Sequence, residues 1–229
     1  MEFILGGRFA GRSAYAYTGP GGRGTAGAAA PAIVFIHGAQ HDHSVWALQT
    51  RAFLEHGWRV LAPDLPGHGR TPGPALASVE AMADWLLALL DGAGIASAVL
   101  AGHSMGSLVA LEAASRAGAR VRGLALLGTA WPMKVSDTLL ACAHVDEARA
   151  IDMVNVWSHA SLLASTAPSE NRRLMQRMSA RNPAQLLHTD FSACNAYAHG
   201  AEAAAQVACP TLFILGRRDV MTPPRAAAS

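Results

Sequence analysis

The chain has 229 residues, 51% of them hydrophobic and 15% charged, with a formal net charge of +2. This composition indicates one compact domain with a substantial core and excludes a disordered chain. So small a charge, without a run of Lys or Arg, argues against nucleic acid or a membrane surface as a partner. The first residues lack the pattern of a secretory signal, and no apolar run approaches the roughly 18 residues of a spanning helix. We therefore expect a cytoplasmic protein.

Residues 1–31 predict a strand pair followed by a loop. Apolar residues 3–5 and the alternating stretch 13–18 indicate two short strands joined by a glycine turn. The Gly/Ala-rich stretch 19–31 contains a Gly-x-Gly-x-x-Gly match at Gly19, Gly21 and Gly24. A dinucleotide site would need a preceding strand, a helix opening on the last glycine and an acidic residue about 20 positions later. Because these features are lacking, we interpret the stretch as a loop and expect no cofactor.

From residue 32 onward, strands and helices alternate. Strands buried on both faces of a parallel sheet are predicted by continuous apolar runs at 32–36, 59–62, 98–101 and 123–127. Helices are predicted between them at about 46–56, 78–91 and 105–116, and Ser78 is the expected N-cap of the second. The alternation predicts an α/β fold with a mostly parallel, doubly wound sheet.

The strand pattern stops between residues 132 and 206 and resumes at residues 210–215. The intervening segment is mostly helical, is interrupted by prolines, and offers little core of its own. We interpret it as a helical cap inserted into the sheet domain. The predicted organisation is therefore a core formed by residues 1–131 and 207–229, with a cap at 132–206.

The sequence Gly102-His103-Ser104-Met105-Gly106 joins the third buried strand to the helix after it. Its serine would sit at the carboxyl end of the sheet, and the helix N-terminus would give it a positive potential and free N–H groups. The flanking glycines suit a turn so tight that it leaves no room for Cβ atoms. This context predicts that Ser104 is a catalytic nucleophile.

Three segments resemble the α/β-hydrolase superfamily in their order and spacing. They are residues 37–38 (His-Gly), residues 64–71 (Asp-Leu-Pro-Gly-His-Gly-Arg-Thr) and residues 102–106. The combination is similar to the haloperoxidase-like and carboxylesterase-like branch of the superfamily. The resemblance runs from about residue 30 to the end of the chain and is weakest in the cap.

The resemblance implies roles for further residues. In the family, the loop after the first buried strand and the residue after the nucleophile supply the oxyanion-hole N–H groups, here those of Ala39 and Met105. The family's acid lies on the loop after the strand at 210–215, which places it at Asp219. That aspartate orients the catalytic histidine. His68 and His103 are expected to perform no chemistry.

The family's general base is a histidine on the loop after the next and last strand. Ten residues follow Asp219, and all ten histidines precede it. We therefore expect the last strand, the last helix and the catalytic histidine to be missing, as in a truncated product or a fragment. The strand at 211–215 would then be an exposed edge. Surface or pocket-lining roles are expected for the histidines at positions 41, 43, 144, 159, 188 and 199.

The implied reaction is hydrolysis of a carboxylic ester, thioester or lactone through an acyl-enzyme, with a small apolar ester-like substrate. Apolar cap residues hint at an acyl pocket: Met133, Met153, Trp157 and Met175. A non-catalytic homologue that binds a ligand or a partner, an inactive fragment, a carbon–carbon bond hydrolase and a perhydrolase remain as alternatives. No metal is expected, because His41-x-His43 is weak evidence alone. Three cysteines without ligand spacing indicate reduced thiols. The sequence leaves the oligomeric state open.

Overall fold

The computed structural model describes residues 1–20, 30–158, 170–182 and 185–227. A seven-stranded sheet forms its centre, with strands in the order β1-β2-β4-β3-β5-β6-β7. The strands are β1 Glu2–Ile4, β2 Ser13–Tyr17, β3 Ala32–Ile36, β4 Arg59–Pro63, β5 Ala98–His103, β6 Val121–Leu127 and β7 Thr211–Ile214. The first two strands are antiparallel to their neighbours, and all pairs from β4 to β7 are parallel. The predicted α/β architecture is thereby confirmed.

Eight α-helices accompany the sheet in the described part of the chain. They are α1 Ala47–Glu55, α2 Val79–Gly92, α3 Met105–Ala117, α4 Asp137–Val145, α5 Glu147–Ser158, α6 Glu170–Arg181, α7 Leu186–Ala196 and α8 Gly200–Gln206. The predicted N-cap of α2 is confirmed, because the Ser78 hydroxyl accepts a hydrogen bond from the N–H of Ala81. No helix in the described ranges is apolar over a length that would cross a bilayer.

Apolar side chains cover both faces of the sheet, as the continuous apolar runs predict. The larger core cluster joins one face to α2 and α3, with Val34, Ile36, Leu100 and Leu108 fully buried. A smaller cluster on the opposite face includes Phe35 beneath α1. The inner strands are apolar on both faces because a polar side chain in either layer would lose its hydrogen bonds to water, which costs free energy.

Helices α4, α5 and α7 line a cavity together with Ala39 and Ser104, which follow β3 and β5, while α6 contacts His41 and α8 packs against α3. The division into a core and a cap at 132–206 stays a prediction. Gly21 and Gly24 of the glycine-rich match lie outside the described residues, as does His159.

Strand β7 pairs with β6 on one side and has no strand on its other side among the described residues. Its side chains are accordingly open to solvent, with Leu212 58% exposed, Phe213 50% and Ile214 49%. The exposed apolar edge expected at this strand is present.

Candidate active site

Ser104 occupies the turn between β5 and α3, with φ 52° and ψ −122°. That conformation is strained for a residue with a side chain. A Cβ on Gly102 would lie 2.1 Å from the carbonyl oxygen of Gly106, and one on Gly106 would lie 2.3 Å from that of Ile36. Both positions therefore require glycine, for the steric reason inferred from the motif. The turn presents the serine at the N-terminus of α3.

Ser104 opens into a cavity of about 260 Å³ between the edge of the sheet and helices α4, α5 and α7. The lining is mostly apolar and includes Met133, Leu139, Trp157 and Phe191. Of the four cap residues expected at an acyl pocket, Met133 and Trp157 line this cavity. Met175 is instead buried between helices, and Met153 packs against the core.

A second cavity, of about 300 Å³, lies beside β6 and β7, with Leu126, Trp131 and Phe213 in its wall. None of its described lining residues is titratable, and the only side-chain hydroxyls among them are those of Thr129 and Thr211. The thiol of Cys194 also faces the Ser104 cavity, but burial raises its pKa far above the ordinary range, so that it stays protonated.

The two expected oxyanion donors flank the serine. Ala39 lines the same cavity as Ser104, and Met105 is the first residue of α3. Gly38 brings the two loops together, because a Cβ there would lie 3.3 Å from the Ser104 Cβ and 3.2 Å from the His103 carbonyl oxygen. The structure therefore brings Ala39, Ser104 and Met105 to one place.

Asp219 lies in the turn after β7 and is partly buried. Its Oδ1 accepts hydrogen bonds from the N–H groups of Met221 and Thr222, both at 2.9 Å, and its Oδ2 accepts one from the Thr222 hydroxyl. Met221 and Thr222 line the Ser104 cavity, whereas Asp219 is not among the residues that line it. The carboxylate is thus held at the rim of the cavity by its own turn.

No described histidine is hydrogen-bonded to the Ser104 hydroxyl or to Asp219. His103 is exposed at the end of β5, beside Gly128. The others have different neighbours: His43 contacts Asp64, His56 ends α1, His144 and His188 contact each other, and His199 faces Glu80. His37 and His41 are buried within the loop that carries Ala39, and His68 is buried against His37.

These three buried imidazoles differ in charge. Burial, and next the positive charge of His68, hold the pKa of His37 well below 6.5. The same ring accepts a hydrogen bond from the N–H of Leu65 at 3.0 Å, which requires a neutral imidazole. Burial also lowers the pKa of His41. Burial would lower the pKa of His68 too, but the Asp190 carboxylate outweighs it and raises that pKa above 6.5.

The side chains of Asp42, His43 and Asp64 come within 4.8 Å of one another, as metal ligands would. Their atoms already have partners. Asp64 Oδ1 accepts from the backbone and ring nitrogens of His43, its Oδ2 accepts from Arg70 N, and Asp42 Oδ1 accepts from Ser44. These hydrogen bonds join the loop after β3 to the loop after β4, and they explain why the three side chains lie close together.

Sequence reasoning missed the contact between the loop that carries Ala39 and helix α7. Gln40 has a left-handed φ of 58°, and its N–H donates to the carboxylate of Asp190 on α7 at 2.8 Å. The two residues are 150 positions apart, and no local pattern marks either one. Only the packing of the cap against the sheet brings them together.

Residues 31–229 match a family described as the alpha/beta hydrolase fold. The chain is 30% identical to 3-oxoadipate enol-lactonase 1 of Acinetobacter baylyi over 198 residues, which are 84% of this chain and 73% of the lactonase. It is 41% identical to an epoxide hydrolase of Caballeronia sordidicola over 90 residues, but that match spans only 38% of this chain and 27% of the relative.

Among solved structures, the enol-lactonase from Burkholderia xenovorans LB400 superposes with a TM-score of 0.81 at 23% identity. The match covers 100% of this chain and 85% of that one. A likeness at this level of identity shows the fold. The family match covers residues 31–229, and the structural likeness agrees with it. The chain therefore belongs to the alpha/beta hydrolase fold family.

Proposed function

We propose that this protein is a serine hydrolase that cleaves carboxylic esters, thioesters or lactones with a small to medium apolar acyl group. The observation that carries the proposal is the strained turn at Ser104, which presents a hydroxyl at a helix N-terminus and in an apolar cavity. Strained backbone persists where the surrounding structure maintains it, and it concentrates at active sites. The 30% identical relative named as an enol-lactonase supports chemistry at an ester-type bond.

In the proposed reaction, Ser104 Oγ attacks the carbonyl carbon while a histidine takes its proton. The backbone N–H groups of Ala39 and Met105 hold the negative oxygen of the tetrahedral intermediate. The histidine returns the proton to the leaving alcohol, and water then hydrolyses the acyl-enzyme. Asp219 orients the imidazole and stabilises its positive charge. The proposed reaction requires a histidine as general base. No described histidine is bonded to the Ser104 hydroxyl, so this residue is a requirement of the proposal and not an observation.

The test is labelling with a fluorophosphonate probe together with hydrolysis of short p-nitrophenyl esters. We expect the probe to modify Ser104, and Ser104→Ala to lose both labelling and ester turnover. Removing the nucleophile of a serine triad costs about 10⁶ in kcat where this has been measured. Ser115→Ala is the matched control, because its hydroxyl bonds the Glu112 carbonyl further along the same helix. Turnover that survives in Ser104→Ala would refute the proposal.

A second candidate is a protein that binds a ligand in this cavity without turnover. It is favoured by one observation, namely that no histidine within the described ranges is hydrogen-bonded to Ser104 or Asp219. On this reading the probe fails to label Ser104, while a small apolar ester still raises the melting temperature. Labelling of Ser104 would decide for the hydrolase.

A further inference from the structure

The loop formed by residues 37–41, which we call the oxyanion loop, is held from the cap side. Three cap helices each contribute one polar side chain to it. Asp190 of α7 accepts from Gln40 N at 2.8 Å, the Asn171 amide of α6 lies 2.8 Å from His41 Nε2, and Glu147 of α5 accepts from Gln40 Nε2 at 3.2 Å. A cap that merely covered the cavity would not need these contacts.

The contacts converge on the peptide bond between Ala39 and Gln40. Its N–H donates to Asp190, and its carbonyl oxygen accepts from His41 Nδ1 at 2.7 Å. Both polar groups of one peptide are thus fixed by side chains that the cap contacts. The left-handed φ of Gln40 makes this fixation necessary, since a residue with a side chain adopts that conformation at a cost.

Asp190 is buried with 0% exposure and meets a charged partner. Its Oδ2 accepts from His68 Nε2 at 2.9 Å, while His68 Nδ1 lies 3.1 Å from the carbonyl oxygen of Pro66. Each ring nitrogen therefore faces an oxygen acceptor, an arrangement that suits the protonated ring and agrees with the raised pKa of His68. Asp190 and His68 thus form a buried ion pair, and Asp190 Oδ1 has no hydrogen-bond partner among the described residues. Charge-assisted hydrogen bonds of this kind are stronger than neutral ones.

We propose that Asp190 is a positioning residue of the active site, a cap side chain that holds the oxyanion loop so that Ala39 N–H points at the substrate oxygen. The inference rests on the proposed hydrolase function. It assigns to the cap a part in stabilising the transition state, in addition to covering the acyl pocket. His68 assists by bonding the carboxylate oxygen that also accepts from Gln40 N–H, and so keeps it in place.

The experiment compares Asp190→Asn, which keeps an acceptor of the same size, with Asp190→Leu, which has none. Asp152→Asn is the matched control, because the side chain of Asp152 pairs with Arg172 and makes none of the hydrogen bonds described for residues 37–41. Hydrogen exchange of peptides spanning residues 37–43 is read by mass spectrometry at a temperature where each variant is folded. The rate of Ser104 labelling by the fluorophosphonate, kcat and KM are measured on the same samples.

We expect exchange in residues 37–43 to increase in Asp190→Asn and more in Asp190→Leu, with Asp152→Asn unchanged. We expect kcat and the labelling rate to fall by about 10- to 100-fold in the same order, with KM little changed, since a misplaced donor weakens the transition state and not ground-state binding. If Asp190→Leu does not fold, Asp190→Asn alone carries the comparison.

The two proposals fail in different ways. A wild-type chain without labelling or turnover refutes the hydrolase, and the exchange data still decide whether Asp190 holds the loop. Unchanged exchange in residues 37–43 of Asp190→Leu, or of Asp190→Asn where Asp190→Leu does not fold, overturns the positioning role. So does an increased exchange with labelling and kcat equal to those of the wild type, because the loop position would then not matter to catalysis.

Discussion

The side chains of His68 and Asp190 meet in the interior, where each compensates for the burial of the other. An isolated ion would be costly there, and a buried pair is retained only with good geometry and further hydrogen bonds. Here the second imidazole nitrogen faces Pro66, and the carboxylate also receives Gln40 N–H. His37, whose ring centroid lies 4.8 Å from that of His68, avoids a second positive charge by remaining neutral.

This pair predicts a pH dependence of stability. Asp190 raises the pKa of His68 in the folded state, so its contribution is complete below about pH 6.5, the value for an unfolded chain, and is lost as the pH rises through the folded pKa. Denaturant unfolding of wild type and Asp190→Asn should therefore differ most at or below about pH 6.5 and converge at alkaline pH. A difference that stays constant with pH, or a similar trend in Asp152→Asn, would contradict the ion pair.

At the scale of elements, β7 differs from every other strand of the parallel part of the sheet. Strands β3, β4 and β5 are covered on both sides, whereas β7 offers apolar side chains and an unpaired backbone edge to solvent in the described structure. Exposed edges of this kind pair with other chains. The fold thus carries an association-prone element close to the turn that holds Asp219.

We expect Leu212→Lys to reduce concentration-dependent association of the chain, because a charge on an edge strand opposes further strand pairing. Light scattering over a concentration series measures the effect. Leu48→Lys is the matched control, since Leu48 is 78% exposed but lies on α1. Equal association of the two variants would show that general surface charge is responsible, and not the edge.

Over the molecule as a whole, helices α4, α5 and α7, which belong to the predicted cap, share one hydrophobic core with the sheet. The larger cluster continues from the sheet residues through Leu108 on α3 to Leu139, Ile151 and Phe191 of the cap helices. The polar contacts between the cap and the oxyanion loop cross the same boundary. Shared burial of this kind couples the two parts into one cooperative unit.

A cavity in the cap should therefore destabilise the entire chain. Ile151 is 1% exposed, so Ile151→Ala should lower the free energy of unfolding by roughly 2–5 kcal/mol in a single transition. Tryptophan fluorescence and far-UV circular dichroism should report the same midpoint. Val156→Ala on the same helix is the control, because Val156 is 71% exposed and should change stability little. Separate midpoints for the two probes would mean that the cap unfolds independently.

The order of strands and helices along the chain, the need for glycine in the Ser104 turn and the family could all be predicted from the amino-acid sequence. These depend on local rules: continuous apolar runs give buried strands, Ser78 caps α2, and a Cβ at residue 102 or 106 would collide with backbone. The resemblance to the family also predicted that Ala39 and Met105 would lie beside Ser104.

The contacts of helices α5, α6 and α7 with the loop at residues 37–41 could not be predicted from the sequence. The segment between β6 and β7 has no regular pattern that relates its helices to the sheet, and Asp190 reads in the sequence as an ordinary helical residue. Its contact with Gln40 spans 150 positions. The charge of His68 likewise follows from which acceptors face its two nitrogens, and that depends on packing between elements and not on the residues beside it.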